Sequence, residues 1–226
     1  TITPRGPPTT LQLIREVNVD GHCITVAANG EDLYVGTCGG DILAVDKLGK
    51  IMLCANLGNS DVVGLCISNQ KLTGLSTVSK TKRLYGHDLV TKKNTSWSHA
   101  DSSSCWGSRM AIIRNQIVVA DVFNRRLTIY GVSGQLIKHI DCPQISSNPN
   151  RNWICVTSSP TQSDVIIISS YDASQVFAVN LTAGAVIWTN SGIRKPQGIA
   201  NYGSDYVLVT NASFQTQLWT LDAKTG

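Results

Sequence analysis

Nowhere in this chain of 226 residues does an apolar run reach the length of a membrane-spanning helix, so no helical membrane insertion is expected. No two of the seven cysteines are separated by two residues, which removes the doublet on which many zinc centres are built. A Gly-x-Ser-x-Gly run is also absent, so none of the many serines is singled out as a nucleophile. Nor is there a strong charge of either sign. Nineteen Lys and Arg against 15 Asp and Glu leave +4, too mild to assign nucleic acid as a partner by itself. Thr1 to Thr10 hold three prolines and no apolar periodicity, and are expected to be a linker or edge segment rather than a signal peptide. One domain is expected over 11–226.

What the chain does contain is a phrase repeated five times. It begins at Cys23-Ile24-Thr25-Val26, Cys66-Ile67-Ser68, Met110-Ala111-Ile112-Ile113, Cys155-Val156-Thr157 and Gly198-Ile199-Ala200. Steps of about 44 residues lie in the window of propeller blades. Within each copy, short β-branched runs alternate with turn residues at all-β spacing. The first copy predicts strands at 23–27, 33–37, 41–45 and 51–55. Gly49, Gly134, Gly184 and Gly226 recur after the third strand, where a hairpin needs positive φ, and the second copy lacks this glycine.

The expected fold is therefore all-β, a β-propeller of four-stranded antiparallel blades, with five blades favoured and six as the alternative. The fifth copy stops at Gly226, where its fourth strand would start, while Leu11 to Val17 precedes the first copy as a spare strand. If that strand pairs into the fifth sheet, the ring is closed by the N-terminal strand and an open edge disappears.

Cys23, Cys66 and Cys155 fall at one point of the repeat, with Met110 and Gly198 in the other copies, which reads as a slot for a small buried residue. Thiols placed by repeat logic favour a reducing, cytoplasmic setting over an extracellular one. Three sequons, at Asn94, Asn180 and Asn211, point the other way, but a chain rich in Asn, Ser and Thr yields such triplets by chance.

In a propeller, the connections from strand two to three and from strand four to the next blade share one end of the ring. Here that end would carry His22, Lys80, Trp106, Arg109, Phe123, Arg125, Arg151, Trp153, Tyr171, Arg194, Lys195 and Phe214. Aromatics interleaved with cations suit base stacking, sugar stacking or a protein hot spot. All of these except His22 and Lys80 form the expected ligand-binding set. The structural alternatives are that Trp106 and Trp153 wedge between sheets, that Arg125 and Arg126 serve the repeat's own hydrogen bonding, and that Arg194 and Lys195 are a solvated loop. The loops differ sharply between copies, so one asymmetric site is expected rather than five equivalent pockets.

The run from Ile117 through Asp121, Asn124 and Arg125 to Tyr130, followed by Gly134-Gln135-Leu136-Ile137, closely resembles one NHL repeat. Pro196-Gln197-Gly198-Ile199-Ala200 is similar to the start of such a repeat, whereas Val176 to Asn180, Ala185 to Trp188 and Leu221 to Gly226 look like quinoprotein blades. The first resemblance implies the propeller of tripartite-motif proteins, a recognition module behind a ubiquitin-ligase front end that binds RNA or partner proteins through one face.

The expectation is thus a non-enzymatic module for RNA or a protein partner, without cofactor or metal. A secreted, lectin-like glycan-binding propeller is the alternative. A metal-dependent hydrolase or lyase ranks third, because His22, His87, His99 and His139 fall on unlike places instead of converging on the channel.

Overall fold

The computed structural model describes residues 16–226 apart from 59, 69–70, 79–80, 92, 100–109, 147–152 and 213–216. Blade 1 comprises β1 (Cys23–Asn29), β2 (Asp32–Thr37), β3 (Asp41–Val45) and β4 (Ile51–Asn56). Blade 2 holds β5 (Asp61–Ser68), β6 (Lys71–Val78), β7 (Thr81–Asp88) and β8 (Asn94–His99). Blade 3 is β9 (Met110–Ile113), β10 (Gln116–Asp121), β11 (Arg126–Gly131) and β12 (Leu136–Asp141). Blade 4 is β13 (Ile154–Ser158), β14 (Val165–Ser170), β15 (Gln175–Asn180) and β16 (Ala185–Asn190). Blade 5 shows β17 (Pro196–Tyr202), β18 (Tyr206–Asn211) and β19 (Leu218–Asp222). Each sheet is an antiparallel meander in chain order, and together they make a five-bladed propeller with no helix among the described residues. The expected all-β ring of five blades is the one found.

The outer hairpins owe their shape to a side chain as well as to glycine. Asp46 Oδ1 accepts from Leu48 N at 2.8 Å and Lys50 N at 2.9 Å, while Gly49 takes φ +85°. Asp222 Oδ1 accepts from Lys224 N and Thr225 N before Gly226 at φ +91°, and Asn180 Oδ1 from Ala183 N before Gly184 at +66°. Blade 2, without the glycine, keeps the carboxylate: Asp88 Oδ1 accepts from Val90 N and Thr91 N. Such side chains mimic a backbone turn and fold the chain back locally.

Between blades, the pleat decides which residue goes where, because successive side chains leave opposite faces. On β10, Ile117 and Val119 join Val63, Leu75, Leu84 and Met110 between blades 2 and 3. Val118 and Ala120 point the other way, into a cluster with Leu127, Ile129, Ile166, Ile168 and Phe177 between blades 3 and 4. Val165 and Ile167 pack with Val176, Val207, Val209 and Leu221 between blades 4 and 5. Tyr34, Ile42, Val62, Leu65 and Leu72 fill the space between blades 1 and 2. Four neighbouring pairs therefore share a buried apolar cluster. At the seam between blades 5 and 1, Val26 is 60% exposed and Leu33 43% exposed.

The strand expected to close the ring lies mostly outside the described residues, since Leu11 to Arg15 are not among them; Glu16 and Val17 are described and are not in a strand. The cysteine slot, in contrast, is corrected. Cys23 opens β1 opposite Thr37 and is exposed, whereas Cys66 sits two residues before the end of the eight-residue β5 and is buried. A longer inner strand with a register shift between Val62 and Gly64 moves Cys66 along its strand relative to Cys23. None of the six described cysteines is in a disulfide. Burial pushes the Cys142 thiol up to about 11.

Candidate functional site

A recurring backbone bond marks equivalent positions at the loop end of the ring. Cys38 N donates to His22 O at 2.9 Å, Tyr171 N to Trp153 O at 3.0 Å, and Ala212 N to Lys195 O at 3.0 Å. Each acceptor stands one residue before an inner strand, so His22, Trp153 and Lys195 occupy the same place on blades 1, 4 and 5. Arg109 lies outside the described residues, as do Lys80, Trp106, Arg151 and Phe214.

On blade 3 the loop is built on a buried carboxylate. Asp121, fully buried, accepts from Asn124 N at 3.1 Å, from Asn124 Nδ2 at 2.8 Å and from Arg126 Nε at 2.9 Å. Arg125, at φ +52°, donates from Nε to Ile145 O at 3.0 Å and from Nη2 to Pro143 O. Its guanidinium is thus engaged in holding the 142–145 loop. The turn leaves Phe123 60% exposed. Tyr171 carries the Lys195 ammonium 5.4 Å above its ring, within cation–π range. Arg194 is exposed beside it. Of the expected set, blades 4 and 5 bring Trp153, Tyr171, Arg194 and Lys195 to one stretch of the loop end. Phe123 and Arg125 stand on blade 3.

Beside Trp153 opens a cavity of about 710 Å³ that runs into the seam between blades 5 and 1. Its wall comprises Val17, Val19, Ile24, Val26, Leu33, Val35 and Val45 from one side and Ile199, Ala200 and Thr210 from the other, with Cys23, Thr25, Cys155, Gln197 and Gly198 also exposed to it. Among the described residues, no carboxylate, imidazole or cation is part of that wall. Such a lining can desolvate an apolar group and orient it through Gln197, Thr25 and Thr210. Among the described residues, no group of three or more His, Cys, Asp or Glu side chains is placed to hold a metal ion.

The apolar wall was not foreseen from the sequence. Val26, Leu33, Val35 and Val45 alternate along their strands as core residues do; Val45 is buried, whereas Val26 and Leu33 stand exposed. The sequons are legible in the structure too. Asn180 Nδ2, the atom a glycan would take, donates to Asp164 Oδ2 at 3.0 Å, and Asn211 is buried with its Oδ1 accepting from Gln217 N.

No protein-family model matches this chain, and no curated protein matches its sequence. Solved structures do resemble it in shape. Virginiamycin B lyase from Staphylococcus aureus superposes with a TM-score of 0.66 at 10% identity, over 91% of this chain and 71% of that one. BamB from Moraxella catarrhalis gives 0.60 at 14% identity, over 93% and 63%. A chain of the mitotic checkpoint complex gives 0.63 at 14%, over 93% and 64%. This chain thus spans less than two thirds of the length of the last two. At these identities the likeness establishes the propeller fold; enzymes and members of protein assemblies stand side by side among the neighbours.

Proposed function

We propose that this propeller is a non-enzymatic recognition module that binds an extended segment of a protein partner at its loop end, with an apolar anchor side chain of that segment in the cleft beside Trp153. The observation that carries this reading is the cleft itself, open to about 710 Å³, mostly apolar, and with no titratable groups other than thiols among the described residues of its wall. Buried aromatic and aliphatic anchors in pockets supply most of the energy of protein interfaces, and Arg194, Lys195 and Phe123 supply the polar and aromatic rim. The same geometry weighs against RNA as the first choice. Among the described residues, Arg125 places its Nε and Nη2 on loop carbonyls and Lys195 sits over Tyr171, so these two cations are less open to phosphates than the sequence suggested.

The test is selection of a random dodecapeptide library on the immobilised chain, followed by titration of recovered peptides against Trp153→Ala and Leu33→Asp variants. Peptides sharing an aromatic or aliphatic anchor are expected, with affinity falling about tenfold or more in each variant. Failure to enrich any peptide, together with tight salt-dependent binding of a single-stranded RNA pool, would overturn the protein-partner reading in favour of RNA.

A further inference from the structure

The register of blade 1 sorts its apolar side chains onto two faces. Val26 stands opposite Val35 and Val35 opposite Leu43, while Leu33 stands opposite Val45 and Val45 opposite Ile51. Paired residues share a face, so these six make one aliphatic surface across all four strands, turned to the seam with blade 5. The intervening Tyr34 and Ile42 face blade 2. Val26 on the inner strand, Leu33 on the second and Ile51 on the outer strand are all exposed. No polar side chain interrupts the six.

Blade 5 turns a different surface to the same seam. Val207 and Val209 pack toward blade 4, so Tyr206, Leu208 and Thr210 leave the opposite face of β18. Leu208 stands opposite Ala200 and Thr220, and Thr210 opposite Leu218. Hydroxyls thus alternate with small and aliphatic groups on this wall. Thr210 Oγ1 accepts from Gly198 N at 2.9 Å and keeps its own proton to donate. The chain's residues 16–20 run beside the cleft: Val17 and Val19 line it and are partly buried, whereas Glu16, Asn18 and Asp20 are exposed. Burial along this segment already has the period of two that a strand imposes.

We propose that the partner segment held in this cleft is an amphipathic β-strand, with Val, Leu or Ile at every second position against blade 1 and Thr, Ser or Asn between them against blade 5. This rests on the protein-partner reading above and names the pattern that the segment carries. A strand sends successive side chains to opposite sides, so one segment meets both walls at once. An all-apolar segment would desolvate the hydroxyls of Thr210 and Thr220 without giving them a partner, and polar residues laid on blade 1 would lose their own partners in the same way.

The experiment titrates the full chain, followed by methyl NMR, with two lysine-capped peptides of identical composition. In one, Val and Leu alternate with Thr and Ser; in the other, the same residues form two blocks. The alternating peptide is expected to bind saturably and about tenfold more tightly than its isomer. Nuclear Overhauser contacts should join its Val and Leu methyls to Val26 and Leu33, and its Thr and Ser protons to Thr210. Val26→Thr should weaken it about tenfold, and because Val26 is exposed this variant should unfold at the wild-type temperature. If it does not, the contacts on the wild-type chain decide alone. Equal binding of the two peptides, contacts in the reverse sense, or unchanged binding to a stably folded Val26→Thr overturns the strand. If peptides selected from the library bind the chain without alternating, and the alternating peptide does not displace them, the strand falls and the protein-partner reading stands. Binding of neither the designed nor any selected peptide overturns both.

Discussion

Blades 3 and 4 meet through a dry cluster in which Phe177, Leu127, Ile129, Ile166 and Ile168 are fully buried, whereas blades 5 and 1 face each other across open space lined by Val26, Leu33, Val35 and Ile199. The strands on either side of these two interfaces have similar composition and the same alternation. What differs is whether the apolar face of one sheet finds the apolar face of the next. A repeat therefore supplies similar scaffolding at every step, and among the described residues a cleft opens where two neighbouring sheets pack less closely.

The contrast is broken most forcefully from its packed side. Phe177→Ala empties a fully buried site and should cost about 3–5 kcal/mol, while Leu33→Ala at the seam should cost under about 1 kcal/mol, both read by chemical denaturation. Equal losses would mean that the seam is packed in solution.

Deleting Thr1 to Val17 attacks the seam from the other direction. If the N-terminal strand completes the fifth blade, the truncated chain loses the pairing partner of β19 together with Val17 from the cleft wall, and its unfolding temperature should fall sharply. An unchanged unfolding temperature removes that strand from the ring.

The smallest effect concerns the hairpin carboxylates, which are alike on blades 2 and 5 although only blade 5 has the glycine. Backbone donors at Thr91 and at Lys224 and Thr225 hold Asp88 and Asp222 below the aspartate value of 3.8. Both therefore bind a proton more weakly folded than unfolded. Their stabilisation is complete above 3.8 and is lost as pH falls through the lower folded values. An Asp88→Asn, Asp222→Asn chain should show a shallower loss of stability on acidification, measured as unfolding temperature against pH, and a slope equal to the wild type would show that these turns contribute nothing.

The period of the repeat, the hairpin glycines and the strands of blade 1 were all legible in the sequence, because turn chemistry and alternation are local properties. β3 begins and ends where the alternation from Asp41 to Val45 places it. The phase of the cysteines was misread, since an inner strand of eight residues with a register shift looks the same in sequence as one displaced along the repeat. Arg125 shows the corresponding limit for the site. Its exposure as a loop arginine was legible, but its use on the Ile145 and Pro143 carbonyls depends on a loop about 20 residues away. The cleft was the least visible feature, since among the described residues it depends on how loosely strands far apart in the chain, β1 and β17, face each other.

Amide hydrogen exchange on the inner strands, with and without a peptide recovered from the library, tests the central claim most directly. The account predicts that β1 and β17 exchange much faster than β9 and β13 in the free chain and slow selectively when the peptide binds. Uniform protection of all inner strands in the free chain, or slowing confined to blades 2 and 3, would contradict it.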